Sequence, residues 1–211
     1  MDVLTTIISQ PVNGRAVDAI AQINELKEIA ESAGALRATA SRVISGPNIG
    51  NLQLRIFSND LVHAGEISAA MWSSDTAARS QNDANPSGQL VGLIRSNVIH
   101  RAAPFLDKSI EPAIATVLAV QPRPGRVAEL ESVLSQWADQ WVAGGALQSF
   151  VTSAITGTPG PALFVTAAYS SWEAWSDALG SARESELWRN LRGGSDPAGV
   201  VLGNTQLSAI Q

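Results

Sequence analysis

Two histidines are the side chains best suited to acid–base chemistry in this chain, His63 and His100. His63 lies near the start of a predicted helix, where the helix dipole disfavours the protonated imidazole, so it could act as a neutral general base. A solvated histidine without function is the alternative. A surface position is the favoured interpretation for His100, which ends a predicted strand. His63 is therefore the candidate catalytic residue.

Four further residues are candidates for substrate binding. Arg55 alternates with the apolar Leu54 and Ile56 on a predicted strand, so it could anchor an anionic or carbonyl oxygen. The alternative is a strand residue that faces the other half of the chain or solvent. The other candidates are Asn97 on a later strand and the indoles of Trp72 and Trp175. Five of the six tryptophans fall in the second half, where core packing is favoured over an aromatic wall around a flat ligand.

Motifs for metals, nucleotides and covalent catalysis are missing. The chain has no cysteine, no HExxH and no paired histidine–carboxylate spacing, so no metal site is predicted. It also lacks GxGxxG after a strand, GxxxxGK[ST] and GxSxG. The sequence therefore predicts no cofactor.

The elements that would position these residues occur twice. A Pro-x-x-Gly-Arg segment followed by a helical run and Gly-Ala-Leu starts at Pro11 and again at Pro122, 111 positions later. The same offset matches Pro86 with Pro197 and Gly92 with Gly203, without a gap. We predict a first repeat over 1–101, a linker over 102–112 and a second repeat over 113–211. A period of this length fits two fused domains, not a short-repeat solenoid.

Hydrophobic periodicity predicts strand–helix–strand–strand–helix–strand in each half. In the first half the first helix spans 15–32, and a polar loop over 80–89 precedes the last strand. In the second half one helix runs from Trp172 through Leu187. The fold class is α+β, with tandem ferredoxin-like βαββαβ repeats. Because the helix-free face of each four-stranded antiparallel sheet must be covered, we predict two sheets facing each other in a barrel with helices outside.

Composition excludes several partners. The chain is 45% hydrophobic and 16% charged, with a net charge of −5 and no basic cluster, which argues against nucleic acid and anionic membranes. No signal peptide and no apolar run near the ~20 residues of a membrane span are found. A soluble, cytoplasmic protein is predicted.

The Pro-x-x-Gly-Arg segments, each closing a strand and followed by a helix and a Gly-led strand, resemble the dimeric α/β-barrel superfamily. Members include antibiotic-biosynthesis monooxygenase domains, NIPSNAP-like domains and stress-responsive barrel proteins. The resemblance covers nearly the whole chain as two fused copies and implies a ligand cavity between the sheet and helices of each copy. It implies cofactor-free oxidation of aromatic polyketides, haem binding or degradation, or isomerisation of small ring compounds. The Asn, Trp and His of haem-degrading members have no convincing match here.

These observations predict a protein that binds a small apolar or aromatic molecule. If it is an enzyme, we expect a cofactor-independent monooxygenase or isomerase, with His63 as base and Arg55 as polar anchor. One alternative is a non-catalytic stress-responsive or interaction protein with a filled pocket, and another is a haem-binding protein. A homodimer of two-repeat chains is the protein partner we expect.

Overall fold

The computed structural model describes residues 2–81, 92–102, 111–158 and 160–210. The strands are β1 (Val3–Pro11), β2 (Arg37–Ser45), β3 (Leu52–Ser58), β4 (Gly92–Ala102), β5 (Ile114–Pro122), β6 (Gln148–Thr156), β7 (Leu163–Tyr169) and β8 (Gly199–Ala209). The helices are α1 (Ala16–Ser32), α2 (Leu61–Trp72), α3 (Asp75–Gln81), α4 (Val127–Ala143), α5 (Trp172–Glu184) and α6 (Glu186–Gly193). None of these helices is both long enough and apolar enough to cross a bilayer. The predicted loop over 80–89 and linker over 102–112 lie mostly outside the described residues.

The strands form one closed antiparallel barrel in the order β1-β3-β2-β8-β5-β7-β6-β4. The predicted α+β class and antiparallel pairing are confirmed. The strands make one continuous ring, so the predicted division of the barrel into two facing four-stranded sheets is not confirmed. The ring closes because β2 pairs with β8 and β4 pairs with β6, which satisfies backbone groups that a sheet edge leaves open.

The two halves repeat the same element order, and their equivalent elements start 111 positions apart from β1 and β5 through α3 and α6. The last strands depart from this offset. Pro11 pairs with Gly92 and Pro122 pairs with Gly199, so the equivalent glycines are 107 positions apart. The expectation of a gapless match, with Gly92 opposite Gly203, is therefore wrong. The first half carries four additional residues between the start of α3 and the start of β4.

Each half also contains a third helix that the sequence pattern did not separate. In the second half, α5 ends at Glu184, and Ser185 takes an extended conformation before α6 begins. The Ser185 side chain accepts a hydrogen bond from the backbone N–H of Trp188 and so caps α6. The single helix predicted through Leu187 is thus two helices.

Side chains alternate between the inside of the barrel and the layer under the helices. In β3, Leu52, Leu54 and Ile56 pack beneath α1 and α2 in the first-half core, together with Ile23 and Ile67. Gln53, Arg55 and Phe57 take the opposite face of the same strand. Every residue of β3 is buried because both of its faces are covered. This is how a polar side chain such as Arg55 comes to lie inside the ring.

The second-half core lies between its four strands and its helices and is built around aromatic side chains. Trp137 stacks on Trp188 and meets Trp141 edge to face, and Trp141 contacts Tyr169. Trp137, Trp141 and Tyr169 are buried, and Trp188 is partly buried against the same cluster. The predicted core role of these tryptophans is confirmed.

Candidate functional site

The most unusual residue of the barrel interior is Arg55. It lies opposite Thr6 of β1 and Thr39 of β2 on the inner face of the ring. Its Nη2 donates a hydrogen bond of 2.8 Å across the barrel to Oγ1 of Thr166, the residue 111 positions later. Its Nε has no hydrogen-bond partner among the residues that the structure describes. Burial lowers the pKa of Arg55 to about 10, which still leaves the guanidinium charged at neutral pH.

No carboxylate within the described part of the chain forms an ion pair with Arg55. Its exposed fraction is 8%, so solvent does little to offset the charge. A buried charge without a partner is costly, and proteins normally pair it or hydrogen-bond it fully. The Thr166 hydroxyl and the ring of Phe150, whose centroid lies 6.0 Å from Cζ, offset part of this charge, but no described anion complements Arg55.

His100 lies near Arg55 on the same inner face, opposite Leu4. Its Nδ1 is 3.3 Å from Oγ1 of Thr152, its ring meets Phe164 edge to face, and its Nε2 has no partner. Burial, reinforced by the charge of Arg55, lowers the pKa of His100 to about 3, so the imidazole is neutral at neutral pH. The surface position favoured from the sequence is wrong, because His100 is only 4% exposed.

Further polar atoms inside the ring also lack partners. They are Thr6 Oγ1, Gln53 Oε1 and Gln148 Oε1. Buried polar groups are hydrogen-bonded in the great majority of cases, so such a concentration needs a physical reason. Together with Arg55 and His100 they define the barrel site: one cation, one neutral imidazole and several groups able to contact a polar ligand.

Two cavities reach this site. The smaller has a volume of about 260 Å³, and its polar lining includes Arg55, His100, Thr6 and Gln53. Its apolar lining comes from Ile8, Val98, Val117, Ala119, Phe164 and Leu202. An apolar chamber with a few polar groups is typical of small-molecule sites.

The larger cavity has a volume of about 590 Å³ and lies on the other side of Arg55, which lines both. It is lined by residues 37–41 of β2 and also by Lys27, Glu31 and Glu111. The pairing of β2 with β8 begins only at Ser41, so residues 37–39 have no described strand partner on that side. This leaves a lateral slot between β2 and β5 through which a ligand could reach Arg55.

The predicted base, His63, lies elsewhere. It is half-buried at the start of α2, where its backbone N–H is capped by Asp60 and its Nδ1 accepts from the backbone N–H of Asn59. Its Nε2 faces the turn at Gly34. His63 does not line either cavity that reaches Arg55.

The other predicted binding residues are also dispersed. Trp72 packs on the first-half core, and Asn97 is exposed on β4. Trp175 packs on the second-half core, and its Nε1 donates to Oγ1 of Thr116 at 3.0 Å. Of the predicted set, Arg55 alone lines these two cavities, and His100, for which the sequence favoured a surface position, lines the smaller one with it.

The spaces between strands and helices, where the superfamily resemblance implies a ligand, are occupied by the two cores. In the second half, Trp137, Trp141 and Tyr169 fill that space, although their Nε1 and OH groups lack partners. Burial raises the pKa of Tyr169. The residues present do not fit a haem there, because both histidines lie in the first half and neither faces this aromatic cluster.

No family model and no curated protein matches this sequence. Solved structures do match across the whole chain. A candidate monooxygenase from Fusobacterium nucleatum subsp. nucleatum superposes with a TM-score of 0.67 at 9% identity, covering 100% of this chain and 93% of that one. An anthrone oxidase-like protein gives 0.58 at 15% identity, covering 99% and 91%.

A haem-binding protein from Thermus thermophilus gives a TM-score of 0.59 at 11% identity, covering 100% of this chain and 91% of that one. Chlorite dismutases from Candidatus Nitrospira defluvii are among the other matches. These structural neighbours are of the dimeric α/β-barrel superfamily. At such low identity the likeness establishes the fold and leaves the activity to the site itself.

Proposed function

We propose that this protein binds a small, largely apolar molecule inside the barrel and holds its oxyanion or carbonyl oxygen at Arg55. The observation that carries the proposal is the buried guanidinium of Arg55, which lines both cavities and whose Nε has no hydrogen-bond partner among the described residues. The apolar walls would hold the body of the ligand, and the slot between β2 and β5 would admit it. The expected ligand is a small aromatic or alicyclic monoanion, or a ketone of similar size.

Charge balance supports this ligand class. An anion bound at Arg55 would compensate for the solvation that the guanidinium loses on burial. Charge-assisted hydrogen bonds of this kind are about twice as strong as neutral ones. Thr6 and Gln53 could contact remaining polar atoms of the same ligand. Binding of the anion would then offset the free-energy cost of burying the charge of Arg55.

Cofactor-independent oxidation is the second candidate, favoured by the same cation. An anthrone that ionises at its central methylene becomes an electron-rich enolate with its oxygen at Arg55. Dioxygen would accept electrons from this carbanion, leaving one oxygen as the new ring carbonyl and the other as water. His63 stays a predicted base for such a reaction, although it does not line the barrel cavities. Oxygen consumption with anthrone, lost in Arg55→Met, would identify this activity.

Two other functions have less support. A filled interior would favour an interaction or stress-responsive role, but Arg55 lines cavities of about 260 and 590 Å³. Haem binding conflicts with the packed aromatic core and with the placement of both histidines. Adding haem should therefore give no Soret band of bound haem.

The architecture also bears on domain organisation. We infer two fused copies, over 1–101 and 113–211, joined by 102–112, because the elements of both halves recur in the same order. The ring is closed within one chain, so a barrel does not require a second molecule. A homodimer and a cytoplasmic location stay predictions.

Isothermal titration calorimetry with benzoate tests the proposed function. Benzoate should bind the wild-type protein, and Arg55→Met should weaken that binding by about tenfold or more, because a charged hydrogen bond contributes about 1.5–3 kcal/mol. Benzyl alcohol, which has the same ring and no anion, should bind more weakly to the wild type. Arg183→Met, an exposed position on α5, is the matched control. Benzoate affinity that is equal in wild type and Arg55→Met would refute the proposed function.

A further inference from the structure

The barrel site contains two groups that favour a negative charge on a ligand oxygen. Arg55 offers a cation and an unpartnered Nε–H. His100 is neutral and has one N–H; when the hydroxyl of Thr152 donates to Nδ1, that N–H is at Nε2 and is unpartnered. No described acidic side chain lines the smaller cavity, so nothing charged opposes an anion there.

The walls of the same cavity suit an aromatic ring. Ile8, Val98 and Val117 supply aliphatic surface, and Phe164 lies edge-on to His100 with ring centroids 4.8 Å apart. A ring held between such walls excludes water from the groups around it. Electrostatic interactions are stronger in this environment than in solvent. The cavity therefore combines an apolar surface that can contact an aromatic ring with the positive electrostatic potential of Arg55.

We infer that the barrel site takes weakly acidic hydroxyaromatic compounds and binds them as phenolates, with the oxygen at Arg55 and the ring in the smaller cavity. This inference rests on the proposed function and names its substrate class. In the step itself the O–H bond of the ligand breaks, its electron pair stays on oxygen, and the proton leaves to solvent through the slot. No oxidant or second reactant takes part.

Two opposing effects decide whether the ligand ionises. Burial in an apolar cavity disfavours the phenolate and raises the pKa of the ligand. An opposite charge within hydrogen-bond reach lowers a pKa by about 1–3 units. The phenolate would also give the guanidinium of Arg55 an anionic partner, which favours the ionised form of the ligand further. We expect the pKa of the bound phenol to fall by about one unit or more, which is a tenfold preference for the anion.

The probe is 4-nitrophenol, because its phenolate absorbs visible light and the neutral phenol does not. Its absorbance is titrated against pH with protein in excess and again in the same buffer without protein. With the wild type the phenolate band should appear about one pH unit lower or more. Arg55→Met should abolish the shift or reverse its sign, whereas the exposed-site variant Arg183→Met should keep it.

The outcomes separate this inference from the proposed function. Bound nitrophenol with an unchanged or raised pKa in the wild type would overturn the inference, and so would the same downward shift in Arg55→Met. If benzoate binds through Arg55 but nitrophenol does not bind, the hydroxyaromatic class is wrong and the proposed function survives. If neither probe binds, both are wrong.

Discussion

Arg55→Met should leave the barrel at least as stable as the wild type while removing its oxyanion anchor. Desolvation lowers the pKa of Arg55 to about 10, which corresponds to a cost of about 3 kcal/mol for keeping the guanidinium charged in the fold. Methionine is unbranched and adaptable, so it can fill the vacated space without strain. That cost disappears in the variant.

The Arg55→Met variant also loses the hydrogen bond that Arg55 donates to Thr166. Its hydroxyl is buried, and leaving it without a partner costs about 1–3 kcal/mol. The two terms largely cancel, so the free energy of unfolding of Arg55→Met should be unchanged or higher by up to about 2 kcal/mol. Replacements of buried charges by apolar residues elsewhere follow the same pattern.

Urea denaturation at pH 7, followed by tryptophan fluorescence, measures this difference. Thr166→Val is the complementary variant. It removes the hydroxyl that accepts from Arg55, so the free energy of unfolding should fall by about 1.5–3 kcal/mol. The double variant should regain most of that loss, since no charge is left unpaired. A drop of more than about 2 kcal/mol for Arg55→Met would refute the reasoning and make Arg55 a structural support of the ring.

Three further outcomes are expected. Because the pKa of His100 falls to about 3 through burial and the nearby Arg55 charge, the unfolded chain binds an extra proton between pH 6.5 and 3, and stability should fall by about 2–3 kcal/mol from pH 7 to 4.5. His100→Leu, which copies its counterpart Leu207, should reduce this loss of stability, whereas the exposed-site variant Arg183→Met should keep it; an equal loss in His100→Leu and the wild type would contradict the assignment. Gly157→Ala should lower the melting temperature, since a Cβ at φ 88° would lie 2.3 Å from a β4 carbonyl oxygen; an unchanged value in a thermal scan would refute this contact. Tyr169→Phe should raise stability in urea by about 1 kcal/mol by removing a buried hydroxyl without a partner, and a loss of similar size would reveal a partner for it.

The periodicity of hydrophobic residues along the chain predicted most of the helices and strands. The alternation of Leu54, Arg55 and Ile56 placed a strand with a polar side chain facing away from the helices, and the structure places Arg55 there. The repeat predicted the order of elements in both halves. The sequence pattern predicted a barrel but not the strand pairs that join its halves, β2 with β8 and β4 with β6, because those pairs involve residues far apart in the chain.

The site was harder to predict for the same reason. His100 looks like the exposed end of a strand when only Ile99 and Arg101 are considered, but the pairing of β4 with β6 brings Thr152 and Phe164 over it. The offset of 111 does relate Arg55 to Thr166, and that relation was available in the sequence. What was missing was any indication that equivalent positions meet across the barrel.

Two strand pairings join the halves of the chain, β2 with β8 and β4 with β6, and they affect how solvent or a small molecule can reach the barrel interior. Among the described residues, the pairings of β2 with β8 and of β4 with β6 each involve four residue pairs, whereas β1 with β3 and β5 with β7 each involve seven. Protein regions held by fewer contacts open at lower free energy than the regions around them. Partial separation of one of these pairings would expose the guanidinium of Arg55 and the imidazole of His100 to solvent while both helix-covered cores stayed intact. A molecule of the proposed class could then enter or leave without global unfolding.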